Sequence, residues 1–264
     1  MTKKELKDFM DAKVEQYNHP KFVQDDPIQI PRSYSAKEDI EISAFLTATI
    51  AWGNRKSIIN NAYRMMELMD NAPFEFVRAH QESDLDRLEP FVHRTFNATD
   101  FRTFVRGLHH IYTHYDGLEG IFRDHATGES LQPAISVLKE KFFEIPHELR
   151  TTKHISDPLK GSSAKRLNMY LRWMVRQDHC GVDFGIWDSV KASALSCPLD
   201  VHTGNVARQL GLIRRKQNDA KALAELDAHL RSWDPADPVK YDFALFGLGV
   251  FEGWGKEEAA KSKP

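Results

Sequence analysis

Residues 198–212 read PLDVHTGNVARQLGL. An acid, Asp200, follows a proline and a leucine, and His202 stands two residues further on. From Thr203-Gly204-Asn205 the stretch takes on an apolar, helix-like spacing that runs to Leu210. Aspartate is a favoured N-cap, because its oxygens accept hydrogen bonds from the orphan N–H groups of a first turn. Asp200 is therefore either a cap and nothing more, or a carboxylate held at a helix mouth for chemistry. The surrounding chain has to decide between the two.

Composition narrows the field first. The 264 residues are 41% hydrophobic and 28% charged, an ordinary globular balance large enough for one sizeable domain or two small ones. The N-terminus MTKKELKDFM has no apolar leader, and no apolar run approaches the ~18–20 residues that span a bilayer. No membrane partner and a cytoplasmic location are the expectations. Two cysteines, Cys180 and Cys197, cannot build a structural zinc site or an iron–sulfur cluster by themselves, and no disulfide is expected between them.

The formal net charge of −2 argues against a protein that coats nucleic acid indiscriminately. Charge is nonetheless uneven. Between Arg150 and Arg176 stand Arg150, Lys153, Lys160, Lys165, Arg166, Arg172 and Arg176 against Asp157. Between Asn205 and Lys221 stand Arg208, Arg214, Arg215, Lys216 and Lys221 against Asp219. These segments flank the opening stretch, and on one face they would bind phosphate locally.

Strand signals are nearly absent, and helical spacing recurs. Ile42, Phe45, Leu46, Thr49 and Ile50 line one face of a helix closed by Trp52-Gly53, and a second helix carries Ile58 to Met69 and ends before Pro73. Further helices are predicted over 101–115, 131–143, 164–176, 204–210, 220–233 and 238–250, the last with Pro238 in its first position. Loops fall at 17–38, 144–162 and 177–200. The fold class is all-α. His110 and His114 have the spacing of a helical metal pair beside His109, but no third ligand stands at a matching offset, so no metal is assigned.

Asp200-x-His202-x-x-x-Val206-Ala207-Arg208-x-Leu210-Gly211-Leu212 resembles the catalytic segment of the helix-hairpin-helix DNA glycosylases. Upstream, ISAFLTATIAWGNRKSIINNAYRMM looks like that family's first core helix and the turn after it, and YDFALFGLGVFEG is similar to its closing helix. LKGSSAKRLNMYLRWMVR stands where the family keeps its hairpin. Through LRWMVR and DPVKYDFALFGLG the chain is also similar to a bacterial family known as a domain of unknown function.

The resemblance implies a two-lobed helical unit over 1–264, with a central lobe at 40–180 and a second lobe, 1–39 plus 181–264, carrying Asp200. It implies base excision: cleavage of the N-glycosidic bond of a damaged base in duplex DNA, with or without lyase activity, by a monomer. Asp200 would stabilise the positive charge that builds on the sugar, and Lys165 would be the Schiff-base nucleophile. Gly161, Ser162, Ser163 and Arg166 would hold the DNA backbone, with His202 and Arg208 beside them, and Asn54 and Arg55 would push into the base stack. No cofactor is implied beyond a monovalent cation at the hairpin. Two departures stand out: Ser162 and Ser163 replace the usual second glycine, and Lys165 precedes Asp200 by 35 residues. A binding module without catalysis, a helical scaffold and a metal-dependent hydrolase using the three histidines are the other classes.

Overall fold

The computed structural model describes residues 1–255. Eleven α-helices carry the described chain: α1 (Lys3–Tyr17), α2 (Lys37–Thr49), α3 (Arg55–Leu68), α4 (Pro73–Ala79), α5 (Ala98–His114), α6 (Gly117–His125), α7 (Gln132–Phe142), α8 (Lys165–Val175), α9 (Val201–Gln209), α10 (Ala220–Trp233) and α11 (Tyr241–Val250). The β structure is one antiparallel pair of two-residue strands, β1 (Val92–His93) and β2 (Phe96–Asn97). The chain is mostly helical, as its periodicity requires.

Helix starts follow local chemistry. Asn54, Asn97, Asp200 and Asp219 each cap a helix by accepting from its first turn. The 17–38 segment, expected as loop, contains 3₁₀ turns at Pro20–Asp25, Pro27–Gln29 and Pro31–Ser33, each opened by a proline with its φ already set. Pro238 likewise opens a 3₁₀ turn, Pro238–Lys240, and the α-helix predicted from 238 begins at Tyr241 instead. Helices α1, α4 and α6 went unpredicted. In α1 only Met10 and Val14 are buried, too few apolar positions to announce a face.

The chain packs as two compact units. One comprises Met1–Phe22, Gly128–Gln132 and the chain from Pro158 onward; the other comprises Val23–Thr127 and Pro133–Asp157. The lobe boundaries implied by the resemblance, 39/40 and 180/181, are not the limits of these two units. Phe184 N donates to Trp173 O at 2.8 Å and Trp187 N to Met174 O at 3.0 Å, so the 182–187 segment folds onto the end of α8. A boundary at 180 would cut through that packing.

In the unit that contains Asp200, α1 and α9 pack against α11 over a core that includes Met10, Leu199, Val206, Leu226 and Leu245. Gly247 makes the α1–α11 approach possible, since a Cβ there would stand 2.2 Å from Cδ2 of Tyr17. In the other unit α2 is buried along Ile40–Thr49, and Phe104 lies 6.0 Å from Phe45 and 4.9 Å from Phe142 between ring centres. Trp173 and Trp187 are fully buried, which makes them core residues.

Gly247→Ala forces the Tyr17 ring or α1 to shift. A loss of ~1–3 kcal/mol in denaturant unfolding is expected, the usual cost of overpacking; wild-type stability in that variant would contradict the close approach.

Candidate active site

Asp200 caps α9 with extended backbone, and its Oδ1 accepts from Thr203 N at 2.9 Å. Its Oδ2 lies 4.0 Å from Lys165 Nζ. Lys165 is the first residue of α8, and the same Nζ stands 3.8 Å from Met169 Sδ. The two side chains are 25% and 29% exposed, enough for a ligand to reach them and too little for either to be an ordinary surface group. Two helix N-termini thus present an acid and an amine to each other across 35 residues of sequence. The start of α9 is locked from behind: Asn218 Nδ2 donates to Asp200 O at 2.8 Å, and Gly204 lets Asn218 in, because a Cβ there would meet its Oδ1 at 2.5 Å.

Beneath this pair lies a buried charge network. Arg172, two helical turns after Lys165, pairs with Asp242 through Nη1 and with Asp183 through Nε at 3.1 Å. Arg176, a turn further on, pairs with Asp183 at 3.1 Å, Asp237 at 2.9 Å and Asp178 at 2.5 Å. Both guanidinium groups also lie over the Phe243 ring, at 4.4 and 5.3 Å. Cys197 Sγ donates to Asp242 Oδ1 at 3.7 Å, and burial pushes that thiol well above its usual range. Burial also raises the Asp242 carboxyl to about 6; Arg172 and Lys165 oppose this and the nearby Asp200 adds to it. Asp183 is likewise raised by burial, against the pull of both arginines.

The segment expected to form a hairpin is a 3₁₀ turn, Pro158–Lys160, then a short loop and α8; among the described residues this loop does not join two α-helices. Gly161 has φ +89°, Ser162 Oγ accepts from Ala164 N at 3.1 Å, and Ala164 enters α8 at φ +45°. The loop is tied to the start of α10: Ala220 N donates to Gly161 O at 3.0 Å, and Ser162 pairs antiparallel with Asp219. The carbonyls of Pro158, Gly161 and Ser163 each accept a protein hydrogen bond. Among the described residues no group of three or more His, Cys, Asp or Glu could hold a metal ion, and no helix is long and apolar enough to cross a membrane.

The remaining residues named from the resemblance belong to α8, to α9 and to the start of α3. His202 is exposed on the first turn of α9, and Arg166 is half-buried on α8. Arg208 donates to Arg215 O at 2.8 Å and to Asn218, so it braces the loop after α9. Asn54 and Arg55 belong to the other unit, where Asn54 caps α3 by accepting from Ser57 N at 3.1 Å. The expectation that both basic segments form one phosphate-binding face needs correction. Arg172 and Arg176 are buried in ion pairs, Arg150 pairs with the buried Asp100 at 2.9 Å in the other unit, and Arg215 pairs with Asp219. Of that set in the unit with Asp200, Lys160, Arg214, Lys216 and Lys221 are exposed. The three histidines take separate partners: His109 meets Val77 O, His110 meets Glu144, and His114 meets His110 O.

A family model described as "Protein of unknown function (DUF2400)" matches residues 26–251. The chain belongs to the DUF2400 family. The match takes in α2 to α11, and with them Lys165, Asp200 and the buried network. No curated protein and no solved structure matches the chain. Within this DUF2400 chain the sequence reading placed neither Asp242, Asp183 nor Cys197 in the site. Asp242 left a signal, being the one charged residue in the apolar run Tyr241–Val250. A lone acid in such a run has to be buried with a partner.

Two stability measurements check this geometry. Asp200→Ala should lose ~1 kcal/mol, whereas Asp200→Asn keeps the cap and should lose little; equal losses would mean Thr203 does not depend on that oxygen. The folded protein also holds the Asp242 proton to higher pH than the unfolded chain does. Its contribution to stability is whole below the ordinary carboxylate range and is lost as pH rises from about 4 through about 6. Asp242→Asn should flatten that part of the stability–pH curve, and an unchanged slope would contradict the assignment.

Proposed function

We propose that this chain is a base-excision enzyme of the glycosylase kind, acting on duplex DNA through Lys165 and Asp200. The observation that carries the reading is the 4.0 Å separation of Lys165 Nζ and Asp200 Oδ2, half-open to solvent at the heads of two helices. The resemblance of the Asp200 stretch to the catalytic segment of helix-hairpin-helix glycosylases supplies the reaction, and the juxtaposition gives its two residues a common place.

As the base leaves, the N-glycosidic electron pair goes with it and the sugar becomes cationic. The Asp200 carboxylate offsets that charge. The free amine of Lys165 adds to the anomeric carbon C1′, and a proton passes from its nitrogen to the ring oxygen O4′ as the C1′–O4′ bond breaks, which opens the sugar to a protonated Schiff base. Loss of a C2′ proton then expels the 3′ phosphate and nicks the strand. With Lys165 idle, water attacks instead and only the base is released. Arg214, Lys216 and Lys221 are exposed cations that would meet the phosphates.

A second reading, a binding module without catalysis, draws on the loop at 161–164, which holds a single glycine and follows a 3₁₀ turn. A panel of duplexes with single lesions separates the two. Base release, a borohydride-trapped adduct in the wild type and none in Lys165→Ala are the expected results. Asp200→Asn should slow release by ~10²–10³-fold or more while duplex binding persists. Affinity should fall steeply with salt. Salt-sensitive binding without release on any lesion would make the chain a binding module; neither binding nor release would overturn the proposal.

A further inference from the structure

The sequence names Asp200 and Lys165 as the catalytic pair, and a further buried carboxyl, Asp242, is tied to the chain segments that carry both. Asp242 is 8% exposed on α11 and cannot be a surface acid. One of its oxygens meets Arg172, the other the Cys197 thiol at 3.7 Å. Each contact leads back to the site by a short covalent path. Arg172 stands seven residues after Lys165 on α8, hence on the same side of that helix. Cys197 stands three residues before Asp200, and α9, which Asp200 heads, packs on α11.

The network does not fully neutralise this acid. Arg172 must serve Asp183 as well as Asp242, and Arg176 already has Asp178, Asp183 and Asp237. Two guanidinium groups thus face four carboxylates, Asp183 being shared by both, and the other donor to Asp242 is a thiol, a weak one. A buried acid with half a counter-charge is poised between its two forms.

We propose that Asp242 is a positioning residue for the Lys165–Asp200 pair: its carboxyl is the buried counter-charge that governs how tightly a cation, the Lys165 ammonium or the developing sugar cation, is held there. The proposal rests on the functional reading above for its second half only. The charged groups facing Asp242 are Arg172 and Lys165 from α8, Asp200 at the head of α9, and Cys197 from the preceding loop. Those on its other neighbours are engaged elsewhere: Asp11 of α1 with Tyr241 and Lys7, Lys13 with Glu252, and Lys240 with Asp234. Burial raises this carboxyl to about 6, against the pull of Arg172 and Lys165.

The test uses the full chain in three forms: wild type, Asp242→Asn and Cys197→Ser. The serine hydroxyl is a stronger donor of similar size, and it serves if Asp242→Asn folds poorly. Reductive methylation by formaldehyde and borohydride, read by mass spectrometry at Lys165, reports on the amine without any DNA. Removing the Asp242 charge should speed labelling at neutral pH by roughly threefold or more, because a buried carboxylate nearby favours the protonated, unreactive form of an amine. In base release, the wild-type rate should fall as pH drops through about 6. Asp242→Asn should give a lower rate without that limb, and Cys197→Ser should move the limb to lower pH.

A merely structural Asp242 would change melting temperature and neither of these profiles. Wild-type labelling and a wild-type pH profile in both variants would overturn the proposal. Altered labelling in a protein that releases no base would uphold the counter-charge and remove the glycosylase reading. Base release with labelling and pH profile unmoved would remove the counter-charge and leave the glycosylase reading intact.

Discussion

One guanidinium between two buried carboxylates, Arg172 between Asp183 and Asp242, is the constraint from which the unit with Asp200 takes its form. Removing any of these charges from water is costly unless the others stand beside it, and removing one partner leaves an uncompensated charge in the interior. The arrangement therefore tolerates little slack. It fixes α8 against α11 and draws the 178–183 loop onto both through Asp183, with Arg176 extending the same logic to Asp178 and Asp237. Asn18, at the end of α1, joins by donating to Asp178 at 2.6 Å.

The candidate site is a by-product of that clamp. With α8 held by Arg172, its first residue, Lys165, cannot wander, and α9 is set by its packing on α11 and by Asn218 behind its cap. The long insertion between Lys165 and Asp200 is accommodated because 182–187 folds onto the end of α8. A gap that looks excessive along the chain thus costs nothing in space. The same economy explains the arginines. Arg172, Arg176, Arg208 and Arg215 all serve internal partners, so the exposed positive charge of this unit is carried more by lysines than the composition implied.

Much of the fold was legible beforehand. The 220–233 helix falls where its spacing puts it, and α2, α3 and α5 differ mainly at their ends, where polar first turns such as Glu38-Asp39 carry no apolar signal. Of the site, Asp200 was readable as a cap because capping is a local rule, and Lys165 was readable only through resemblance. Asp183 and Cys197 were not readable: nothing within several residues of either distinguishes a buried network member from a loop acid or a core thiol.

The sequence by itself determined what depends on near neighbours: an all-helical chain, its caps, its proline-opened turns, and an aspartate at the mouth of α9. These follow from backbone sterics and hydrogen bonding over a few residues. Tertiary structure alone decided which charges are inside, because desolvation depends on what the rest of the chain covers. It sent Arg172 and Arg176 from an expected phosphate-binding stripe into the core, tied Asp242 to Arg172 and Cys197, and brought an amine and a carboxylate 35 positions apart to within 4.0 Å. Distance along a chain constrains distance in space only weakly, and charge pairing across that distance is settled when the helices pack.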